Sequence, residues 1–300
     1  MVYEYAIDPR IFKTSGDFFA IWNQVGPENG RLISALPKNW CLIVYDSITK
    51  SLLPGDIQRK KSLEACLCSP IPKNICCRRG ISNTNSVSRW TTEVKAEHSK
   101  SKFKGIVTDD KINCHCLISS LDAISGSSNN PHWHLTTGEH PVPGSGVALA
   151  QYISSLLRLS KYVKFIDPYL NLNETEFRNP ISQIVLELIK ITSKPRKYTL
   201  EFHCTDSDIK ITSADRKKGF DTFIQNLPTD KDGLSFKYKI WKISELREEI
   251  KDRFILTNIT GIAVAHDLRE NPRGWTLTNM GPNLRIEDNI QTDNFDFEWP

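Results

Sequence analysis

No apolar run in this 300-residue chain approaches the roughly 20 residues needed to cross a bilayer. The opening Met1-Val2-Tyr3-Glu4-Tyr5 has neither a basic leader nor an apolar signal region, so the expected location is the cytoplasm, with no membrane partner. No Gly-rich phosphate loop and no Gly-x-Ser-x-Gly elbow occurs, which argues against P-loop nucleotide hydrolysis and Ser-based acyl transfer. No internal repeat is visible. Neither sign of charge dominates: 39 Lys and Arg stand against 35 Asp and Glu, and a net charge of +4 is too small to indicate a nucleic-acid partner by itself. From Glu287 onward Lys and Arg are missing, while Glu287, Asp288, Asp293, Asp296 and Glu298 remain. That tail reads as a charged strip for a partner or as a solvated end, the usual state of a terminus.

What is present is an ordinary globular composition, 39% hydrophobic and 25% charged, sufficient to bury a core. Single cores stop growing at roughly 250 to 300 residues, so two domains are expected. The first segment, to about Tyr45, is dense in apolar side chains and implies folded structure. From about Asp46 to Pro143 the chain is rich in Lys, Ser, Asn and Cys with few periodic runs, which predicts short strands and loops more than long helices. The stretch Pro141-Val142-Pro143-Gly144-Ser145-Gly146 reads as a linker. The expected domains are therefore 1–143, a less regular α+β region, and 144–300.

The second region is periodic. Leu149, Ile153, Leu156 and Leu157 share one helical face, and Tyr162 to Ile166 reads as a strand stopped by Pro168. A helix carries Ile181, Ile184, Val185 and Leu188 on one face, with Pro180 expected in its first turn. Strand Tyr198 to Cys204, a helix from Ser213 to Leu227, strand Phe236 to Trp241, a polar helix from Ser244 to Ile250 and strands near Phe254 and Gly261 follow. Alternation of this kind predicts an α/β layer with a parallel or mixed sheet flanked by helices.

Phe165-Ile166-Asp167-Pro168-Tyr169 and the later Lys251-Asp252-Arg253-Phe254-Ile255-Leu256-Thr257-Asn258, with Gly261 opening the next strand, resemble the phospholipase D-like superfamily. The resemblance covers roughly 147–285. That family spaces His, one residue, Lys, four residues and Asp; here Lys251, Arg253 and Asn258 occupy the three places. The resemblance implies a phosphodiester site in which histidine attacks phosphorus, lysine neutralises the phosphoryl oxygens and aspartate orients the imidazole. A protonated lysine has no lone pair for attack, whereas Arg253 can clamp a phosphate bidentately. The resemblance thus implies a phosphate-binding surface at Lys251, Arg253 and Asn258 without its nucleophile. If catalysis survives, His203 and His266, both at predicted strand ends, are the candidate replacements, alongside Lys251 and Arg253. Asp167 before Pro168 also reads as a residue that ends a strand and bonds local backbone. One motif per chain, where the family's site uses two, implies a homodimer through the second domain or assembly with other protein subunits. By the same resemblance the chain looks like an accessory part of a multi-protein system acting on foreign nucleic acid, such as anti-phage defence.

Two further clusters are candidates. Between Arg59 and Lys104 there are 11 basic residues against three acids, and Arg78, Arg79, Lys95, Lys102 and Lys104 could face DNA or RNA phosphates with Trp90 stacking. Solvated surface accounts for the same residues. Cys66, Cys68, Cys114 and Cys116, with Pro131-His132-Trp133-His134, offer soft donors enough for one zinc, although one residue between paired ligands departs from the usual two to four. No other cofactor is expected. Three readings stay open: a non-catalytic phospholipase D-like subunit binding nucleic acid or protein partners, an active phosphodiesterase with rewired residues, and a zinc-stabilised interaction module.

Overall fold

The computed structural model describes residues 2–68, 72–76, 87–126, 130–133, 139–191, 198–206, 211–228, 233–242, 244, 251–281 and 290–299. They divide into two compact units, Val2–Thr136 and Thr137–Pro300. Both are α/β. Among the described residues no helix is long and apolar enough to cross a membrane.

The first unit contains β1 (Tyr3–Ile7), α1 (Ser15–Trp22), β2 (Arg31–Ser34), α2 (Trp40–Thr49), α3 (Ile57–Leu67), β3 (Ile75–Cys76), α4 (Trp90–Lys100), β4 (Gly105–Val107), β5 (Leu117–Ile118) and α5 (Ser120–Ser125). The five strands form one sheet in the order β3-β2-β1-β4-β5, every pair parallel. This corrects the expected irregular α+β region, and the run from Trp40 to Tyr45 is a helix. The strands are two to five residues long. They are covered on both faces, so no polar alternation marks them in the sequence. Tyr5, Ile7, Ile33 and Val107 meet α1, α2, α3 and α5 on one face, while Ala6 and Ile106 meet Trp90 and Val94 of α4 on the other. Thr14 and Asp17 form a capping box that starts α1, pairing donors the first turn would otherwise leave open.

The second unit contains β6 (Glu139–Val142), α6 (Gly146–Leu159), β7 (Tyr162–Ile166), α7 (Thr175–Ile191), β8 (Tyr198–Thr205), α8 (Ser213–Asn226), β9 (Leu234–Trp241), β10 (Arg253–Thr257), β11 (Gly261–Val264), β12 (Trp275–Gly281) and β13 (Phe297–Trp299). Its sheet runs β13-β9-β8-β7-β10-β11-β12-β6. β7, β8 and β9 are parallel to one another and the other pairings are antiparallel. The mixed sheet expected for this half is therefore present. Because β6 is an edge strand, the unit begins ahead of the Pro/Gly stretch at 141–146. Residues 245–250 of the expected polar helix lie outside the described residues.

α7 starts at Thr175, so Pro180 sits inside the helix and not in its first turn as the sequence suggested. Proline cannot donate to the carbonyl four residues back. That carbonyl, of Glu176, instead accepts the backbone N–H of Glu270 at 2.9 Å. Glu270 also accepts the N–H of Gly146, the first residue of α6, at 2.7 Å, and Asn179 Nδ2 at 3.0 Å. Gly146 itself lies against Pro180, where a Cβ would stand 2.6 Å from Pro180 Cα. One loop, around residue 270, thus ties α6 to α7.

Where it is described, the acidic tail keeps its acids exposed but ends in a paired edge strand. β13 pairs with β9, Asp296 accepts the Ile240 N–H at 2.7 Å, and Asp296 and Glu298 each lie 3.6 Å from Lys239 and Lys237 respectively. Glu287 and Asp288 lie outside the described residues.

Candidate functional site

β10 runs antiparallel to β7, with Phe254 beside Ile166. The start of β10 therefore lies next to the residues that follow β7, and Arg253 meets Asp167 and Tyr169 there. Arg253 Nε is 4.0 Å from Asp167 Oδ1, its guanidinium is 5.4 Å from the Tyr169 ring centroid, and Nη1 donates to the Lys251 carbonyl at 3.1 Å. Nε has no hydrogen-bond acceptor among the described residues. Nε is itself buried and Nη1 already donates once, so the donors left for a phosphate are those of Nη2 and the second Nη1 proton.

The loop from Ala265 to Gly274 forms the facing wall, and it is held firmly. Leu268 N–H donates to Asp167 Oδ2 at 3.0 Å, Arg269 pairs with Glu174 at 3.1 Å, and Trp275 Nε1 donates to the Asp267 carbonyl at 3.1 Å. Gly144 lies under this loop; a Cβ there would stand 1.6 Å from the Asn271 carbonyl oxygen. Between wall and strand opens a cleft of about 430 Å³ lined by Arg253, Ala265, His266, Asp267, Asn271, Pro272 and Arg273. His266 and Arg273 are exposed in it, and Tyr169 next to it is 47% exposed. The Asp267 carboxylate is 3.7 Å from Arg269 Nε, so part of its charge is already answered.

Asp167 is fully buried and accepts the N–H groups of Tyr169 and Leu268. Burial raises its pKa above the ordinary value, against the opposing effect of the two N–H donors and Arg253. The local turn expected at Asp167-Pro168 is there, and the same carboxylate also anchors the cleft's wall.

The three motif positions do not form one surface. Lys251 is exposed just ahead of β10 and Arg253 opens the strand, whereas Asn258 follows its far end and accepts the Lys161 N–H at 2.6 Å. Five strand residues at about 3.4 Å each put roughly 17 Å between Arg253 and Asn258. A single phosphate cannot touch both.

His203 on β8 is fully buried, and both ring nitrogens are engaged. Trp241 Nε1 donates to Nδ1 at 3.1 Å, which leaves the ring proton on Nε2, 3.2 Å from Glu201 Oε2. Glu201 is in turn 3.3 Å from Lys164. Burial lowers the His203 pKa, outweighing Glu201. The ring is neutral, with no lone pair left for attack on a substrate. His266 is the candidate histidine that reaches solvent, but among the described residues no carboxylate hydrogen-bonds its ring to orient it.

In the basic segment of the first unit the expected stacking residue is not at the surface. Trp90 is fully buried with Nε1 on the Leu36 carbonyl at 2.9 Å, so it cannot stack on a base. Its spacing to Val94 and His98, one helical face, was the signal for burial. Lys95 and Lys102 are exposed, Lys104 places its ammonium 5.0 Å from the Tyr3 ring, and Arg78 and Arg79 lie outside the described residues. Nor do the four cysteines assemble: Cys66 packs against the core on one face of the sheet, Cys114 and Cys116 belong to the other, and Cys68 is exposed beyond α3. A sheet stands between the two pairs.

One cluster escaped the sequence reading. The strand order of the first unit reverses between β1 and β4, the position where open α/β sheets collect ligands. Asp8 and Asp110 follow those strands, bridged by Arg10; Thr108 donates to Asp8 at 2.8 Å and Thr91 to Asp110 at 2.6 Å. The hydrogen bond from Thr91, and after it that from Arg10, lower the Asp110 pKa. Each carboxylate is answered by the guanidinium, so this is a closed ion-pair network. Ile-Asp-Pro after an apolar run was its available trace.

Comparisons with protein-family models, with curated proteins and with solved structures find no match to this chain.

Proposed function

We propose that the second unit is a phosphodiester-binding module, phospholipase D-like in its order of elements but lacking the nucleophile, and that it holds a nucleic-acid backbone in the cleft between Arg253 and the 265–274 loop. The observation that carries this reading is the convergence of Arg253, His266 and Arg273 on one open cleft while Lys251 stands where the resemblance calls for histidine. Arg253 and Arg273 supply permanent positive charge, and exposed Tyr169 beside Arg253 offers a ring face for a base. This pairing of charge with an aromatic face favours a nucleic acid over a small phosphate. With one motif per chain, the module acts with protein subunits of a larger assembly or as a homodimer through this unit.

The test is incubation of the purified protein with labelled single- and double-stranded DNA and RNA, with and without chelator, scoring retardation and cleavage together. Retardation without cleavage supports the reading. Chelator-resistant cleavage abolished by His266→Ala replaces it with the rewired enzyme. Absence of both signals removes the nucleic-acid reading and leaves a protein scaffold.

A further inference from the structure

Seven His and eight Cys are scattered along the chain, yet His98, Cys114, His115, Cys116 and His132 gather at one place in the first unit. His98 closes the inner face of α4, 8% exposed, with Nε2 at 3.9 Å from both Cys114 Sγ and Cys116 Sγ. The two sulfurs are 3.0 Å apart. The ligand-capable atoms of His98, Cys114 and His115 all lie within 4.8 Å of one another. The His115 ring centroid is 6.2 Å from that of His98 and 5.8 Å from that of His132. The turn is fixed by backbone: Leu117 N–H donates to the Cys114 carbonyl at 3.3 Å, and Ile106 N–H to the Cys116 carbonyl at 3.0 Å.

We propose that Cys114, Cys116, His98 and His115 form a binding site for one thiophilic divalent ion of the zinc class, joining α4 to the turn between β4 and β5. Two thiols and two imidazoles are the donor set such an ion selects. Metal–sulfur bonds of about 2.3 Å and metal–nitrogen bonds of about 2.0 Å place tetrahedral ligands about 3.8 Å (S to S) and about 3.5 Å (S to N) apart. Between the sulfurs and His98 the change needed is less than about 1 Å, while exposed His115, grouped within 4.8 Å with His98 and Cys114 but not with Cys116, must turn further inward to complete the set. Each thiol gives its proton to solvent on loading, and two thiolates balance the charge of the ion. His98 Nδ1 accepts the Phe103 N–H at 3.1 Å, so the metal-free ring carries its proton on Nε2. Loading moves that proton to Nδ1 and opens the Phe103 bond, one backbone hydrogen bond given up for four metal bonds. Exposed His115 and half-buried Cys114 give the ion a way in from solvent. Short-range spacing hid the site, because His98 lies sixteen residues before Cys114 and the cysteines have one residue between them.

The full chain, reduced and stripped by chelator, is titrated anaerobically with Co2+ and then with Zn2+. The expected result is one Co2+ per chain with thiolate-to-cobalt charge transfer and tetrahedral d–d absorption, displaced by one equivalent of Zn2+. Cys114→Ser and Cys116→Ser should each weaken retention by more than about tenfold. Cys66→Ser and Cys68→Ser, on the other side of the sheet, should leave it unchanged. If the two site variants fail to fold, the wild type decides: stripped protein should regain thermal stability with one equivalent of Zn2+, and the Phe103 amide resonance should move. Absence of the charge-transfer band overturns the proposal. So does retention unchanged in both site variants, or a Cys114–Cys116 disulfide that forms in place of metal uptake.

Discussion

Arg253→Ala and Arg273→Ala offer the sharpest test of the cleft, because the structure sets the number of permanent charges it presents. A charge-assisted contact contributes about 1.5–3 kcal/mol, so each loss should weaken binding roughly tenfold to a hundredfold at low salt. Salt dependence gives the more specific figure. Log affinity falls with log salt by about 0.7 per neutralised phosphate for single strands and about 0.9 for duplex. The two guanidiniums together then account for about a sevenfold loss between 50 and 200 mM salt on single strands, and either alone for about threefold. Each variant should therefore reduce the slope by about 0.7 to 0.9, with Arg253→Lys restoring the slope but not the affinity, since lysine lacks the bidentate fork. Fluorescence anisotropy at four salt concentrations measures both quantities. Arg273 is exposed, so its variant should melt at the wild-type temperature. Slopes unchanged in both alanine variants would refute the argument that this cleft meets phosphates.

Other consequences concern the scaffold. His203 is buried with its pKa lowered, facing Glu201, Lys164 and Lys239, so the unfolded chain binds a proton below about pH 6.5 that the folded chain does not. Stability should fall as pH drops through that range by up to about 1.4 kcal/mol per pH unit from this group, and His203→Gln should flatten the dependence in urea titrations at several pH values. Arg216 is 2% exposed and donates to the carbonyls of Leu170 and Thr205, both at 3.1 Å, and to Cys204 Sγ at 2.9 Å. Arg216→Met removes these three bonds, with the Leu170 carbonyl still accepting the Tyr238 hydroxyl at 2.9 Å, and should cost about 1–3 kcal/mol by denaturant titration; a loss below about 0.5 kcal/mol contradicts that role. Gly146→Ala places a Cβ against the Pro180 backbone and should destabilise by about 1–3 kcal/mol, with a lower melting temperature as the readout.

Local pattern alone determined much of the second unit. The faces of α6 and α7, the strands at Tyr162 and Tyr198 and the start of α8 after Thr212 follow from side-chain period and capping chemistry, which act within a few residues. The Thr212–Asp215 capping box is a complete local signal. The first unit was less legible because its strands are short and covered on both faces, so no alternation separates them from loops or buried helices. Its basic segment was legible as charge but not as surface, since burial of Trp90 depends on what α4 packs against. The rise of a single strand, a local property, separates Asn258 from Arg253 by the length of β10. Tertiary structure alone decided two things. It brought Arg273 to Arg253 across twenty residues of sequence. It also set His98 beside Cys114 and Cys116 while a sheet kept Cys66 away. In each case the deciding contact is one between strands or helices distant in the chain, and such contacts are set by packing and hydrogen-bond register, which short-range spacing does not record.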